Sequence, residues 1–176
     1  MSVFSRFKEA YKARRAVRWP LDALVLLALV AAVGLFQTRR HLSDVPVPQF
    51  TLSPLGSAGA VSSSSFTGKP TMLVLWAPWC GVCKAQSDNV NRVQRWMGER
   101  ARVVSVALAY EAKADVEAAA KAEGMEYPVL LGDAALETAF QVDAYPTVYF
   151  LDEAGRIKRS AAGYTTTFGM LWRLWL

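Results

Sequence analysis

Histidine and cysteine are nearly missing from this chain of 176 residues, which holds one of the former and two of the latter. The single histidine is His41, so the chain from Ser43 onward has none. Two thiols without a histidine fall short of the four ligands of a structural zinc site. A long disulfide loop is missing as well. Cys80 and Cys83 are only two residues apart and would close almost no loop, so a bridge between them could do little to restrain the unfolded chain. There are no internal repeats, and the folded part lacks a net charge of either sign. Of twenty Lys/Arg and fifteen Asp/Glu, residues 1–43 hold eight and two, which leaves twelve bases against thirteen acids. The overall charge of +5 therefore belongs to the N-terminal arm. A nucleic-acid surface on the domain, which needs clustered basic residues, is excluded.

The arm has its own logic. Residues 1–18 carry six basic side chains, and an uninterrupted apolar run follows from Ala23 to Phe36. Trp19, Pro20 and Asp22 extend it, as an interfacial aromatic, a first-turn proline and an acid at the positive end of a helix. At about 1.5 Å per residue, Pro20–Gln37 reaches roughly 27 Å, close to a bilayer core. Residues 19–37 are therefore expected to form a transmembrane anchor, with residues 1–18 as a cytoplasmic basic arm. More basic residues precede the run than follow it, so the domain should face outward into the periplasm. A cleaved signal peptide has the same charged start and apolar middle, and it also exports the domain.

Residues 38–68 read as a periplasmic tether broken by Pro46, Pro48 and Pro54, with a low-complexity, flexible stretch over Ser57–Ser65. Within it, Gln49–Leu52 could pair at a sheet edge. Residues 69–176 read as one α/β domain. Thr71–Trp76 is an apolar strand, the helical spacing from Cys80 to about Gly98 follows it, and Val103–Leu108 is a second buried strand. Ala112–Glu123 favours a helix, Tyr127–Leu131 a short strand, and Asp133 can cap a helix running to about Gln141. Thr147–Leu151 and Arg156–Ala161 flank a hairpin turn, and a closing helix from Thr165 carries Phe168, Leu171, Trp172 and Trp175 as a core stripe. The sum is a mixed sheet with helices on both faces.

The chemistry lies at Trp79-Cys80-Gly81-Val82-Cys83-Lys84. A strand that turns into a helix places Cys80 at the helix N-terminus, where unpaired amides and the dipole stabilise a thiolate. Cys80 is the expected nucleophile toward a partner disulfide, and Cys83, one turn inward, resolves the mixed disulfide. Trp79 is expected at the surface beside the pair and Trp76 in the packing. Lys84, Glu111, Asp115 and Glu117 read as solvated helix residues. Pro146, directly before a strand, is the second half of the site. The alternative is a copper-binding or copper-delivery module, since two soft thiolates suit Cu(I).

Trp76-Ala77-Pro78-Trp79-Cys80-Gly81-Val82-Cys83-Lys84, with Tyr145-Pro146-Thr147 about sixty residues later, resembles the thioredoxin superfamily. Gln49–Leu52, Gly68-Lys69-Pro70 and the apolar arm resemble its membrane-anchored bacterial branch of the TlpA/ResA type. Gly163-Tyr164-Thr165-Thr166 before an aromatic helix is similar to the disulfide oxidoreductase of the suppressor-of-copper-sensitivity group (ScsD type). The resemblance implies a thioredoxin fold with a mixed four- to five-stranded sheet and flanking helices. It also implies Cys80 and Cys83 as a redox-active disulfide, Pro146 in cis, and Trp79, Gly81, Val82, Tyr145, Pro146 and Thr147 against the substrate. It implies no external cofactor and no bound metal, exported thiol or disulfide proteins as substrates, and a DsbD-like electron partner in the bacterial inner membrane. Three positions depart from the pattern. Val74 stands where thioredoxins bury an aspartate, Gln86 where ResA-like proteins have a glutamate, and Ala144-Tyr145-Pro146-Thr147 replaces the cytochrome-maturation loop. No proton acceptor for Cys83 is thereby assigned, and the Gly81-Val82 pair lies nearer to disulfide-isomerase sites than to a Gly-Pro thioredoxin.

Overall fold

The computed structural model describes residues 23–29 and 42–175, in two units that divide at residues 39 and 40. Of the N-terminal unit, only a helix α1 over 23–29 is described, with Leu24, Val25, Leu26, Leu27 and Leu29 exposed. The basic arm over 1–18, most of the anchor over 19–37 and His41 lie outside the described residues. Among the described residues, no helix is long and apolar enough to cross a membrane.

The second unit is built on strand β4, Thr71–Trp76, all six of whose residues are buried. An unbroken apolar run is what a strand covered on both faces requires. β5 (Arg102–Ala107) pairs parallel to it in register from Thr71↔Arg102 to Trp76↔Ala107, and β6 (Val129–Leu131) continues parallel beyond β5. On the other side β7 (Thr147–Leu151) and β8 (Arg156–Ala162) follow antiparallel. These five strands are the expected mixed sheet. Helix α2 (Gly81–Met97) follows β4, α3 (Lys113–Ala122) follows β5, α4 (Ala134–Ala139) follows β6, and α5 (Thr167–Trp175) closes the unit.

Alternation along the strands divides the core. Leu73, Leu75, Val104, Val106 and Tyr149 pack with Phe66, Leu136 and Phe140 on one face. Met72, Val74, Val103, Val148 and Phe150 pack with Val90, Val93, Met97 and Met170 of α2 and α5 on the other. A third cluster joins Trp76, Cys80 and Cys83 to Ala107, Val129, and Val116 and Ala119 of α3. The end of β4 that carries the cysteines is thus fixed by buried contacts.

The structure corrects two expectations. The sheet has eight strands, in the order β1-β8-β7-β4-β5-β6-β2-β3, because the proline- and serine-rich stretch is partly built into it. β1 (Val45–Pro46) pairs with β8, β2 (Thr51–Pro54) with β6, and β3 (Val61–Ser62) with β2. Val47 and Phe66 are buried in the core and Phe50 packs against it, so much of residues 38–68 belongs to the domain rather than to a tether. Ser62–Ser65 reads as flexible by composition, yet Ser62 caps a 3₁₀ turn over Ser63–Phe66 that delivers Phe66 inward.

The α5 stripe is the second correction. Phe168, Trp172 and Trp175 are exposed, while Met170 is buried and Leu171 and Leu174 pack beside it. At 100° per residue the three aromatics share an arc opposite Met170. The helix is apolar on both arcs, and spacing alone could not say which one faces inward.

Candidate active site

β4 ends at Trp76, and Ala77-Pro78-Trp79 leads into α2 with Cys80 as its N-cap, in extended backbone (φ −79°, ψ 106°). The Cys83 N–H donates to Cys80 Sγ at 3.1 Å, so sulfur occupies the place of a capping oxygen. The Cys80 N–H donates to the Ala77 carbonyl at 3.1 Å, and the Lys84 N–H to the Cys80 carbonyl at 3.2 Å. The two cysteines form a disulfide with Cα atoms 5.3 Å apart, and they are 6 % and 5 % exposed. When that bond opens, the same N–H and the helix terminus favour an anionic Cys80 sulfur. Gly81 and Val82 lie exposed between them, so a partner can approach along this turn.

Trp79 is exposed, but it is not loose. Its Nε1–H donates to the Ala109 carbonyl at 2.8 Å, and its ring meets Tyr145 edge-on with centroids 5.8 Å apart. Ala109 sits at φ +48°, a conformation that costs a non-glycine residue about 1–2 kcal/mol. Trp76 is buried and donates from Nε1 to Ser105 Oγ at 3.3 Å, which makes it a packing residue.

The Tyr145–Pro146 peptide is cis. Tyr145 donates its hydroxyl to Glu137 Oε1 at 2.7 Å, and Trp79 and Tyr145 thereby tie the Cys80 turn to the Pro146 loop. Burial, reinforced by the Glu137 carboxylate, holds the Tyr145 phenol well above its usual range, so it remains a donor. Pro146 is buried. Thr147 is fully buried and donates its hydroxyl to the Ala144 carbonyl at 2.7 Å. Its side chain therefore braces the loop from inside.

Val74 lies in the core. Gln86 is also buried, and its Oε1 accepts the Thr165 N–H at 2.6 Å. That contact fixes the amide orientation and leaves Nε2 buried without a hydrogen-bond partner among the described residues. Neither an aliphatic group nor a carboxamide takes up a proton near neutral pH. Glu137 and Ala109 carried no signal in the sequence, and Thr165 none for its contact with Gln86, because each enters through a contact distant along the chain or through backbone alone.

Comparisons with known proteins agree with this arrangement. The model of the family described as Redoxin matches residues 42–169. The chain is 29 % identical over 159 residues to "Thioredoxin-like protein YneN" of Bacillus subtilis (strain 168), covering 85 % of this chain and 92 % of that protein. It is 25 % identical over 162 residues to "Thiol-disulfide oxidoreductase ResA" of Geobacillus thermodenitrificans (strain NG80-2), covering 87 % and 92 %. The crystal structure of a thiol:disulfide interchange protein of the thioredoxin family from Chlorobium tepidum TLS superimposes with a TM-score of 0.65 at 23 % identity. It covers 74 % of this chain and 94 % of that one, and shows the thioredoxin-like fold.

Proposed function

The chain belongs to the Redoxin family, and on that premise we propose that Cys80 and Cys83 carry its thiol–disulfide oxidoreductase chemistry as nucleophile and resolving thiol. The observation that carries the assignment is the Cys80 sulfur at the N-cap of α2, hydrogen-bonded by the Cys83 amide. In the reducing direction the Cys80 thiolate attacks one sulfur of a substrate disulfide. An S–S bond to the substrate forms, and the substrate's other sulfur leaves as a thiolate. Cys83 then attacks Cys80 Sγ, which closes the Cys80–Cys83 disulfide and releases the second substrate sulfur. Two electrons pass to the substrate, its two sulfurs end as thiols, and no external cofactor takes part. Trp79, Gly81 and Val82 form the exposed surface beside the pair, and the Tyr145-Pro146-Thr147 loop aligns the substrate backbone, held in place by the Tyr145 and Thr147 hydroxyls.

Exported proteins with thiols or disulfides are the proposed substrates. The apolar run between basic flanks supports a single-pass anchor in a bacterial inner membrane, N-terminus inside, with the domain in the periplasm. There a DsbD-like membrane partner would recharge Cys80 and Cys83 for work as a reductase or isomerase, and the Gly81-Val82 pair lies nearer to isomerase sites.

Trapping and potentiometry test this together. Cys80→Ser should abolish exchange, and Cys83→Ser should accumulate mixed disulfides visible on non-reducing gels. Normal turnover by Cys80→Ser protein would refute the mechanism. A reduction potential near about −270 mV would mark a reductase and one near about −180 mV an isomerase. A value near about −120 mV, that of a strong oxidant, would refute both.

A further inference from the structure

Beside Trp79 a groove of about 580 Å³ runs between the start of α2 and α3. Its floor is small and apolar, made by Ala118, Ala119 and Ala122 of α3, and Trp79 forms one wall. Two carboxylates line it, Glu111 and Asp115, against one ammonium, Lys84. Asp115 accepts the Ala112 N–H at 3.0 Å, whereas neither the Glu111 carboxylate nor the Lys84 ammonium has an ion-pair or hydrogen-bond partner among the described residues. Lys113, which could have neutralised the acids, pairs instead with Glu117 at 3.4 Å. Lys84, Glu111 and Asp115, which read as solvated helix residues, thus converge on a concave surface beside Trp79.

We infer that this groove is a specificity subsite for a long basic side chain, lysine or arginine, flanking the reactive cysteine of a polypeptide substrate. The inference rests on the exchange function proposed above. Three features commit the occupant. The groove is continuous with Trp79, which precedes Cys80, so a chain whose cysteine meets Cys80 passes its mouth. The alanine floor leaves a trough for an aliphatic stem, the part of Lys and Arg that packs on apolar surface while the head stays in water. The acids outnumber the cation, and Lys84, one helical turn after Cys80, drives a cationic head toward Glu111 and Asp115.

The test uses the full chain in neutral detergent and two eight-residue peptides in which serine replaces the cysteine. One is flanked on both sides by arginine, the other by glutamate. Binding is read from Trp fluorescence. The arginine peptide should bind about three- to five-fold tighter at low salt, the scale of exposed ion pairs, and the preference should fade by 0.5 M salt. Glu111→Gln should reduce the preference. Ala122→Leu, which keeps helix propensity but fills the trough, should weaken binding of the arginine peptide. Equal binding of the two peptides, or a preference indifferent to both variants, would overturn the subsite. Turnover of bis(2-hydroxyethyl) disulfide by the unmodified chain reads the exchange function separately. Turnover without peptide preference removes the groove alone, and preference without turnover keeps the groove and removes the exchange function.

Discussion

Gln86 gives the sharpest quantitative test of how the resolving cysteine is surrounded. It lies one helical turn beyond Cys83, fully buried, with Oε1 on the Thr165 N–H and Nε2 unpaired. Gln86→Met removes both polar atoms at nearly constant volume. It strands the Thr165 N–H, at about 1–3 kcal/mol, and relieves an unpaired buried donor of similar cost. The two nearly cancel, so the expected change is within about 1 kcal/mol despite the short hydrogen bond. Gln86→Glu behaves differently. At low pH the introduced carboxyl is neutral, still accepts from Thr165, and stability stays near that of the unmodified chain. Burial favours the neutral form and raises the introduced group's pKa above its unfolded value. The unfolded state then loses its proton first, so stability falls as pH rises from the unfolded value toward the folded one. Each unit of the difference is worth about 1.4 kcal/mol, and a rise of roughly two units would remove about 3 kcal/mol by pH 8. Urea unfolding of the oxidised protein at pH 4, 6 and 8 measures it. A Gln86→Glu curve parallel to that of the unmodified chain across this range would show that the site is wet or relaxes freely, and would refute the reasoning.

Gly132 follows β6, where an added Cβ would lie 2.6 Å from Leu108 Cδ2 and 2.7 Å from Val106 Cγ1. Gly132→Ala should therefore cost about 1–3 kcal/mol by overpacking, read as a lowered urea midpoint at unchanged slope; an unchanged midpoint would mean that β5 and β6 yield readily. Burial pushes the Tyr149 phenol up to about 12 and raises Tyr127 and Tyr145 further. The unfolded chain gives up these protons first, so stability should decline above about pH 10, and tyrosinate absorbance at 295 nm should rise in step with unfolding. Tyr145→Phe removes the donor to Glu137 and should cost about 0.5–1.5 kcal/mol. It should also loosen the Pro146 loop, seen as faster amide exchange at Ala144–Thr147, and unaltered exchange there would refute the bracing role of Tyr145.

Local pattern was enough wherever one element decides its own fate. Thr71–Trp76 is a fully buried strand because nothing in it can face water, and Cys80 begins a helix because an apolar strand, a Pro-containing turn and helical spacing meet there. It failed where the deciding partner lies far along the chain. Pro46 and Pro54 mark a loop by composition, yet each sits in a strand paired with β8 or β6. The α5 aromatics alternate with Met170 and Leu174 in a helix with two apolar arcs, and only the position of α2 and β7 decides which arc is inside. The active site shows the same split. The sulfurs proposed to react lie close together in sequence, whereas the groups around them, the Ala109 carbonyl, Glu137 and the Thr165 amide, arrive from three different loops and helices. Substitutions at Cys80 and Cys83 should therefore change chemistry with little change in fold. Substitutions at Glu137 and Gln86 should act through the placement of Tyr145 and α5, which predicts effects on stability that precede any loss of exchange.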